Sequence, residues 1–399
     1  MTGRRAAGPL GSMERDTKIQ HFGEDREAFL GSVAPPIFRT SLFTFPDCDA
    51  LEAALRGAGE RPLYSRMSNP TVRVLEEKVA ELESAEAAVA FSSGMGAISA
   101  VLLSSVSSGD HAVCFSRAYA PTLAVFKGVL RRFGVRVTFL SPEELPRLPE
   151  VLEERTKLVY VESPASMTFD VIDLEFVARE ARKRGIVTAT DNSWATPIFA
   201  RPVELGIDLV VHSGTKYLSG HSDVLLGVVA GARAHVERVS KLATLLGACL
   251  SPEDAFLSLR GLRTLSLRMR RHEETALAIA RRLLLEDRVV EVRHPALPFF
   301  PSHALWKRQF SGSSGLFSFR IRGDARRFAN AMRIFHLGVS WGGYESLILP
   351  QAVLSAAHPR DILRPDIPDD LIRVSIGLED LEDLWEDLAR GFRAIAEAP

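Results

Sequence analysis

Between residues 86 and 213 the chain alternates between short runs rich in β-favouring residues and stretches with helical periodicity. Ala87–Phe91 leads towards a helix from about Gly96, and Ala112–Phe115 towards one from about Pro121. Val135–Leu140 and Leu158–Glu162 come next, then a helical pattern over Leu174–Arg184, then Ile186–Thr190 and Asp208–His212. Apolar strands separated by helices bury their surface best as a mostly parallel sheet with helices on both faces, so the expected class is α/β. Ligands of such sheets bind beyond the carboxyl ends of the strands. Ser92, Glu162, Asp191 and Ser213 all fall at such ends.

Beyond that region, Leu257–Leu284 reads as one long helical stretch and HPALPFF as a proline-broken connector. Gly315–Ile321 and Leu371–Ile376 read as strands, and Leu381–Ala396 as an amphipathic helix. An α+β carboxy-terminal domain is therefore expected over 259–399, after a larger ligand-binding domain over 66–258. Residues 13–65 lack a periodic core pattern and are expected to form an arm that packs on something else, a partner subunit being the natural candidate. The opening MTGRRAAGPLGS resembles a cloning tag with a protease scar, so residues 1–12 are read as a tag remnant.

Composition narrows the function classes. Lys plus Arg is 49 against 50 Asp plus Glu, so no overall charge favours nucleic acid or an anionic membrane. The most apolar stretch, Ala87 to Val106, is too interrupted by Ser and Gly to span a bilayer. Cys48, Cys114 and Cys249 are scattered, making neither a disulfide framework nor a metal motif, which fits a reducing cytoplasm. HExxH and CxxC are absent, and His212 and His221 are read as structural, so no metal is expected.

The chemistry centres on DLVVHSGTKYLSGHSDVLL at 208–226. An apolar run ends in a polar turn that presents Lys216 among small and hydroxyl residues, where a lysine can form a Schiff base with a carbonyl cofactor. Ser213 and Thr215 can hydrogen-bond a phosphate, and FSSGMGA at 91–97 offers the backbone N–H groups of Gly94 and Met95 at a helix start. Asp191, after an apolar strand, can pair with a protonated pyridine nitrogen, and Tyr119 can stack on a flat ring. Tyr64 and Arg66, in LYSRMSNPT, suit a phosphate dianion, and Arg373 inside an apolar strand suits a carboxylate. Each has a plainer reading alone: a surface lysine, a tight turn, a capping Asp, core packing, a loop arginine, a structural ion pair. Their joint occurrence, in a sensible order, favours a pyridoxal 5'-phosphate site.

SGTKYLSGHSD, ESPASM, TDNSWATP, RPLYSRMSNPT, RGLRTLSLRM and IRVSIGLEDLEDL together resemble the cysteine/methionine-metabolism family of pyridoxal-phosphate-dependent enzymes, from roughly Lys18 to the end. FSGSSGLFSF, SWGGYESLIL, ALWKRQF and the Tyr-x-Pro at 119–121 are most similar to its bacterial cystathionine β-lyases. The resemblance implies fold type I, a 66–258 cofactor-binding domain and a homotetramer of dimers sharing active sites. It also implies roles. Lys216 would be the Schiff-base lysine, Asp191 the pyridinium partner and Tyr119 the stacking ring. Gly94, Met95, Ser213 and Thr215 would hold the phosphate, with Tyr64 and Arg66 reaching it from the neighbouring subunit. Arg373 and Ser340, beside Trp341, would bind the substrate carboxylate.

The implied reaction is β-elimination from L-cystathionine, giving homocysteine, pyruvate and ammonia, with Lys216 and Tyr64 handling protons. Three positions depart from the family pattern. Ser166 replaces an asparagine, Val339 stands where many γ-lyases and γ-synthases have Glu and a β-lyase type has Tyr, and Phe256 replaces a Tyr of that type. Two alternatives stay open. One is another trans-sulfuration activity (cystathionine γ-lyase or γ-synthase, methionine γ-lyase, sulfhydrylase), and the other is a non-catalytic cofactor-binding regulator.

Overall fold

The computed structural model describes residues 13–59, 61–357 and 367–396, so the expected tag remnant at 1–12 lies outside the described residues. Seven strands form the larger sheet: β1 (Ala87–Phe91), β2 (His111–Phe115), β3 (Arg136–Leu140), β4 (Thr156–Glu162), β5 (Val187–Asp191), β6 (Leu209–Ser213) and β7 (Gly227–Gly231). Their spatial order is β1-β7-β6-β5-β4-β2-β3. Pairing is parallel from β6 through β5, β4 and β2 to β3. Only β7 runs against its neighbours, wedged between β1 and β6.

Strand alternation divides this sheet between two cores. Val113, Val159, Val161 and Val210 point to one face, against Val177, Ala178 and Ala181 of the helix Leu174–Arg182. Their neighbours Ala112, Cys114, Leu158, Tyr160, Leu209 and Val211 point to the other, against Ala97 and Val101 of the helix Gly94–Ser105. Both faces are dry, which is why these strands read as continuous apolar runs. Each fully buried Val or Leu contributes about 1.5–3 kcal/mol of transfer free energy.

The smaller sheet contains β8 (Val289–Arg293), β9 (Leu316–Ile321), β10 (His336–Leu337), β11 (Leu347–Pro350) and β12 (Leu371–Ser375), in the order β10-β11-β12-β9-β8. It is antiparallel except for the β10–β11 pair. Leu384, Leu388 and Phe392 of the helix Leu381–Ala396 pack with Ile279 and Leu283 of the helix Leu265–Leu283 in its core.

Two expectations change. The stretch 257–284 is two helices, Pro252–Leu262 and Leu265–Leu283, and the first runs across the expected 258/259 boundary. At the break, the buried Arg268 guanidinium donates to Gly261 O (2.7 Å) and Tyr217 O (2.8 Å), and its Nε to Thr264 Oγ1 (3.0 Å). That ties the helix junction to the backbone following β6. The arm also begins on its own chain. Its helix Arg15–His21 buries Ile19 in this chain's core, and Lys78 Nζ donates to Ile19 O (2.6 Å) and to Glu24 (2.9 Å). Most of the described residues from Asp25 to Gly59, and on to Tyr64 after residue 60, are exposed. No described helix is long and apolar enough to cross a membrane.

Candidate active site

A cavity of about 240 Å³ lies where the carboxyl ends of β4, β5 and β6 meet the start of the helix Gly94–Ser105 and the second sheet. Ser93 caps that helix, its Oγ accepting from Gly96 N–H (3.1 Å). Gly94 and Met95 line the cavity with the first-turn N–H groups, which have no carbonyl within the helix to bond. A Cβ on Gly94 would stand 2.8 Å from Ser213 Oγ, so only glycine lets the helix start approach β6 this closely. The result is a positive helix end, a hydroxyl and a turn of small residues, a setting for an anion. Thr215 also lines the cavity, although its hydroxyl accepts from Leu226 N–H (2.9 Å).

Lys216 follows β6 by three residues and enters the same cavity. Its Nζ donates to Ser340 Oγ (2.5 Å) and stands 5.3 Å from the centre of the Trp341 ring. Burial, then the nearby Arg373 charge, lowers its pKa to about 8, against an opposite pull from Asp191. Gly342, at φ +83°, lets the 340–342 turn lie this close, since a Cβ there would come within 3.0 Å of Tyr217 N and 3.1 Å of Lys216 Cβ.

Asp191 ends β5 and lines the cavity, one Oδ accepting from Ser193 N–H (2.9 Å). Burial raises its pKa, opposed by the Ser193 hydrogen bonds and then by the charges of His212 and Lys216. A buried carboxylate in such a place needs a cationic partner. Arg373, on β12, is buried, and its guanidinium donates to Val339 O (2.9 Å) and Ser340 O (3.1 Å). Burial pulls its pKa down to about 10. Tyr119 holds its backbone N–H to Glu162 at 2.6 Å, and its half-exposed ring stands at the cavity mouth. Burial first, then Glu162, raises the pKa of its phenol.

Thus Gly94, Met95, Tyr119, Asp191, Ser213, Thr215, Lys216, Trp341 and Arg373 share one cavity. Ser340 adjoins it through Lys216 rather than lining it. Tyr64 and Arg66 do not line it: they are exposed, stacked on each other (5.7 Å), with Arg66 donating to Thr244 O (2.6 Å). Residues that sequence reasoning passed over complete the walls, notably Phe169, Trp194 and Leu225. Trp194 is fixed by its indole N–H donating to Leu316 O (2.9 Å). Nothing local marks these side chains, whose role is set by what folds against them.

A ligand with a phosphate dianion, an aldehyde and a protonatable ring nitrogen matches this donor set: helix end with hydroxyls, partly buried amine of lowered basicity, partly buried carboxylate. The model of the Cys/Met metabolism PLP-dependent enzymes matches residues 16–393. A Rhizobium johnstonii protein named provisionally as a cystathionine beta-lyase is 40% identical, covering 95% of this chain and 96% of its own. An L-methionine gamma-lyase of Pseudomonas putida is 38% identical, covering 95% and 97%. Among solved structures, cystathionine gamma-lyase from Lactobacillus plantarum complexed with L-serine superposes with a TM-score of 0.90 at 32% identity, covering 96% of this chain and 100% of that one.

Proposed function

Because the chain belongs to the Cys/Met metabolism family of pyridoxal-phosphate-dependent enzymes, with fold type I, we propose that it is a carbon–sulfur lyase acting on L-cystathionine by β-elimination. The products are homocysteine, pyruvate and ammonia. The bound cofactor supplies an electron sink for the pair released when the substrate Cα–H bond breaks.

The chain's own residues do the rest. Lys216, with a pKa lowered to about 8, is a base matched to a proton near neutral pH, and Ser340 and Trp341 hold its amine in place. Arg373, already anchored on the Val339 and Ser340 carbonyls, orients the substrate carboxylate. Gly94, Met95, Ser213 and Thr215 hold the phosphate, and Asp191 keeps the ring nitrogen protonated. Tyr119 stacks on the ring. Tyr64 and Arg66, outside their own cavity and exposed, serve a neighbouring subunit in a cytoplasmic homotetramer.

The observation that favours β- over γ-elimination is the rim at 339–341. Val339 puts an apolar side chain where many of the γ-lyases and γ-synthases resembled by this sequence carry glutamate and a β-lyase type carries tyrosine, so it speaks against the first without matching the second, and Trp341 packs beside the lysine. A second reading, γ-elimination from methionine or cystathionine, draws on the 38% identity to the Pseudomonas putida methionine gamma-lyase. Product analysis with L-cystathionine separates them. Pyruvate with homocysteine supports the first reading, whereas 2-oxobutyrate with cysteine overturns it. Lys216→Ala should abolish either reaction.

A further inference from the structure

Glu83 is the C-cap of the helix Pro70–Leu82, and it is completely buried. A carboxylate there opposes the helix dipole and is cut off from water, so helix stability cannot account for it. Its Oε1 pairs with His212 Nε2 at 2.6 Å and accepts from Asn192 Nδ2 at 2.9 Å. His212 and Asn192 are buried too, and His212 Nδ1 has no hydrogen-bond partner among the described residues.

These groups sit directly behind Asp191. Asp191 pairs in register with Val211, the residue before His212, and Asn192 N–H donates to Val211 O (2.9 Å). One position on, Ser213 N–H donates to Ser193 Oγ (2.6 Å), while Ser193 N–H donates to Asp191 itself. Residues 191–193 and 211–213 are thus stitched together, with Glu83 gripping the middle member of each. Glu83 fixes the imidazole so that Nε2 faces the carboxylate, which sets the orientation of the ring on the strand beside Asp191. The charge of His212 already counts among the influences that keep Asp191 ionised. As a purely structural tie a buried carboxylate makes little sense, since well-packed apolar side chains are often as stable in such a place.

The geometry points to Glu83, His212 and Asn192 as a buried positioning relay that keeps Asp191 ionised and correctly oriented, and so sets the protonation of the cofactor ring nitrogen. The inference rests on the assignment of Asp191 to that nitrogen. Removing the relay should move the proton balance of Asp191 without touching substrate contacts. The expected effect is a fall in kcat of about tenfold, with KM within about twofold, because the substrate contacts are left in place.

The test uses holoenzyme reconstituted with pyridoxal 5'-phosphate isotopically labelled at the ring nitrogen. The nitrogen chemical shift is read by NMR in the parent, Glu83→Gln, His212→Gln and Asp191→Asn. The cofactor dissociation constant, kcat and KM are measured alongside. The relay predicts that Glu83→Gln and His212→Gln shift the nitrogen signal in the direction Asp191→Asn does, with a fall in kcat. If Asp191→Asn shifts the signal and the other two leave it at the parent value, the relay is overturned while the Asp191 assignment stands. If Asp191→Asn leaves it unmoved, that assignment fails and the relay with it. Should His212→Gln not fold, the near-isosteric Glu83→Gln decides alone.

Discussion

Replacing Arg373 with methionine separates binding from stability in this site. The guanidinium is buried in β12, and its pKa is pulled down to about 10 chiefly by burial, so folding gains little from its charge. Its carbonyl partners, Val339 and Ser340, lie in a turn that water can reach and rehydrate. Arg373→Met should therefore leave the melting temperature of the holoenzyme unchanged or raise it. Losing a charge-assisted grip on the substrate carboxylate costs about 3 kcal/mol, or about 150-fold in kcat/KM. Most of that loss belongs in KM, because the carboxylate is held in ground and transition state alike. Steady-state kinetics with L-cystathionine, beside thermal unfolding, reads both terms. A kcat/KM within about threefold of the parent would refute the carboxylate assignment. A large fall in stability would refute the argument that burial of this charge is costly.

Two more outcomes follow from other buried cations. Lys216 has a pKa near 8 in the folded protein, below the ordinary lysine value, so above pH 8 the unfolded chain binds the extra proton. The cofactor-free protein should gain stability as pH rises from about 8 towards about 10. Lys216→Met should flatten that rise in a pH series of denaturant titrations, and an identical slope in both proteins would contradict it. Lys78, one of the least exposed lysines, ties Glu24 and Ile19 of the opening segment to the helix Pro70–Leu82. Lys78→Ala should cost about 1.5–3 kcal/mol, the loss of a charge-assisted hydrogen bond, because Glu24 keeps Arg263 as a partner. Hydrogen exchange should rise first at residues 15–24; exchange that rises uniformly along the chain would argue against a local tie.

Local chemistry made much of this molecule legible. β1 falls where its apolar run predicts, and β2, β3, β4, β5 and β6 fall within two residues of theirs, because a strand buried on both faces leaves a bounded apolar run. Gly94, Asp191, Ser213 and Lys216 could be picked out because each closes or follows such a run, and strand ends are where an α/β sheet opens to ligands. β7 escaped notice: GVVAG is five residues framed by glycines, with no alternation, and only its place between β1 and β6 makes it a strand. The break at 263–264 was equally hidden, since it depends on an arginine reaching carbonyls on another segment.

By itself, then, the sequence determined six of the seven strands of the larger sheet, the α/β class and the positions at which chemistry surfaces, all through periodicity and turn composition acting over a few residues. Tertiary structure alone decided which distant groups meet. Lys216 finds Ser340 across 124 positions, and Glu83 finds His212 across 129. Arg373 meets carbonyls rather than a carboxylate, and Tyr64 with Arg66 stays outside its own chain's cavity. Such pairings are selected by the need to find partners for buried polar groups, a condition on the whole packed chain that leaves no mark in any single stretch of it.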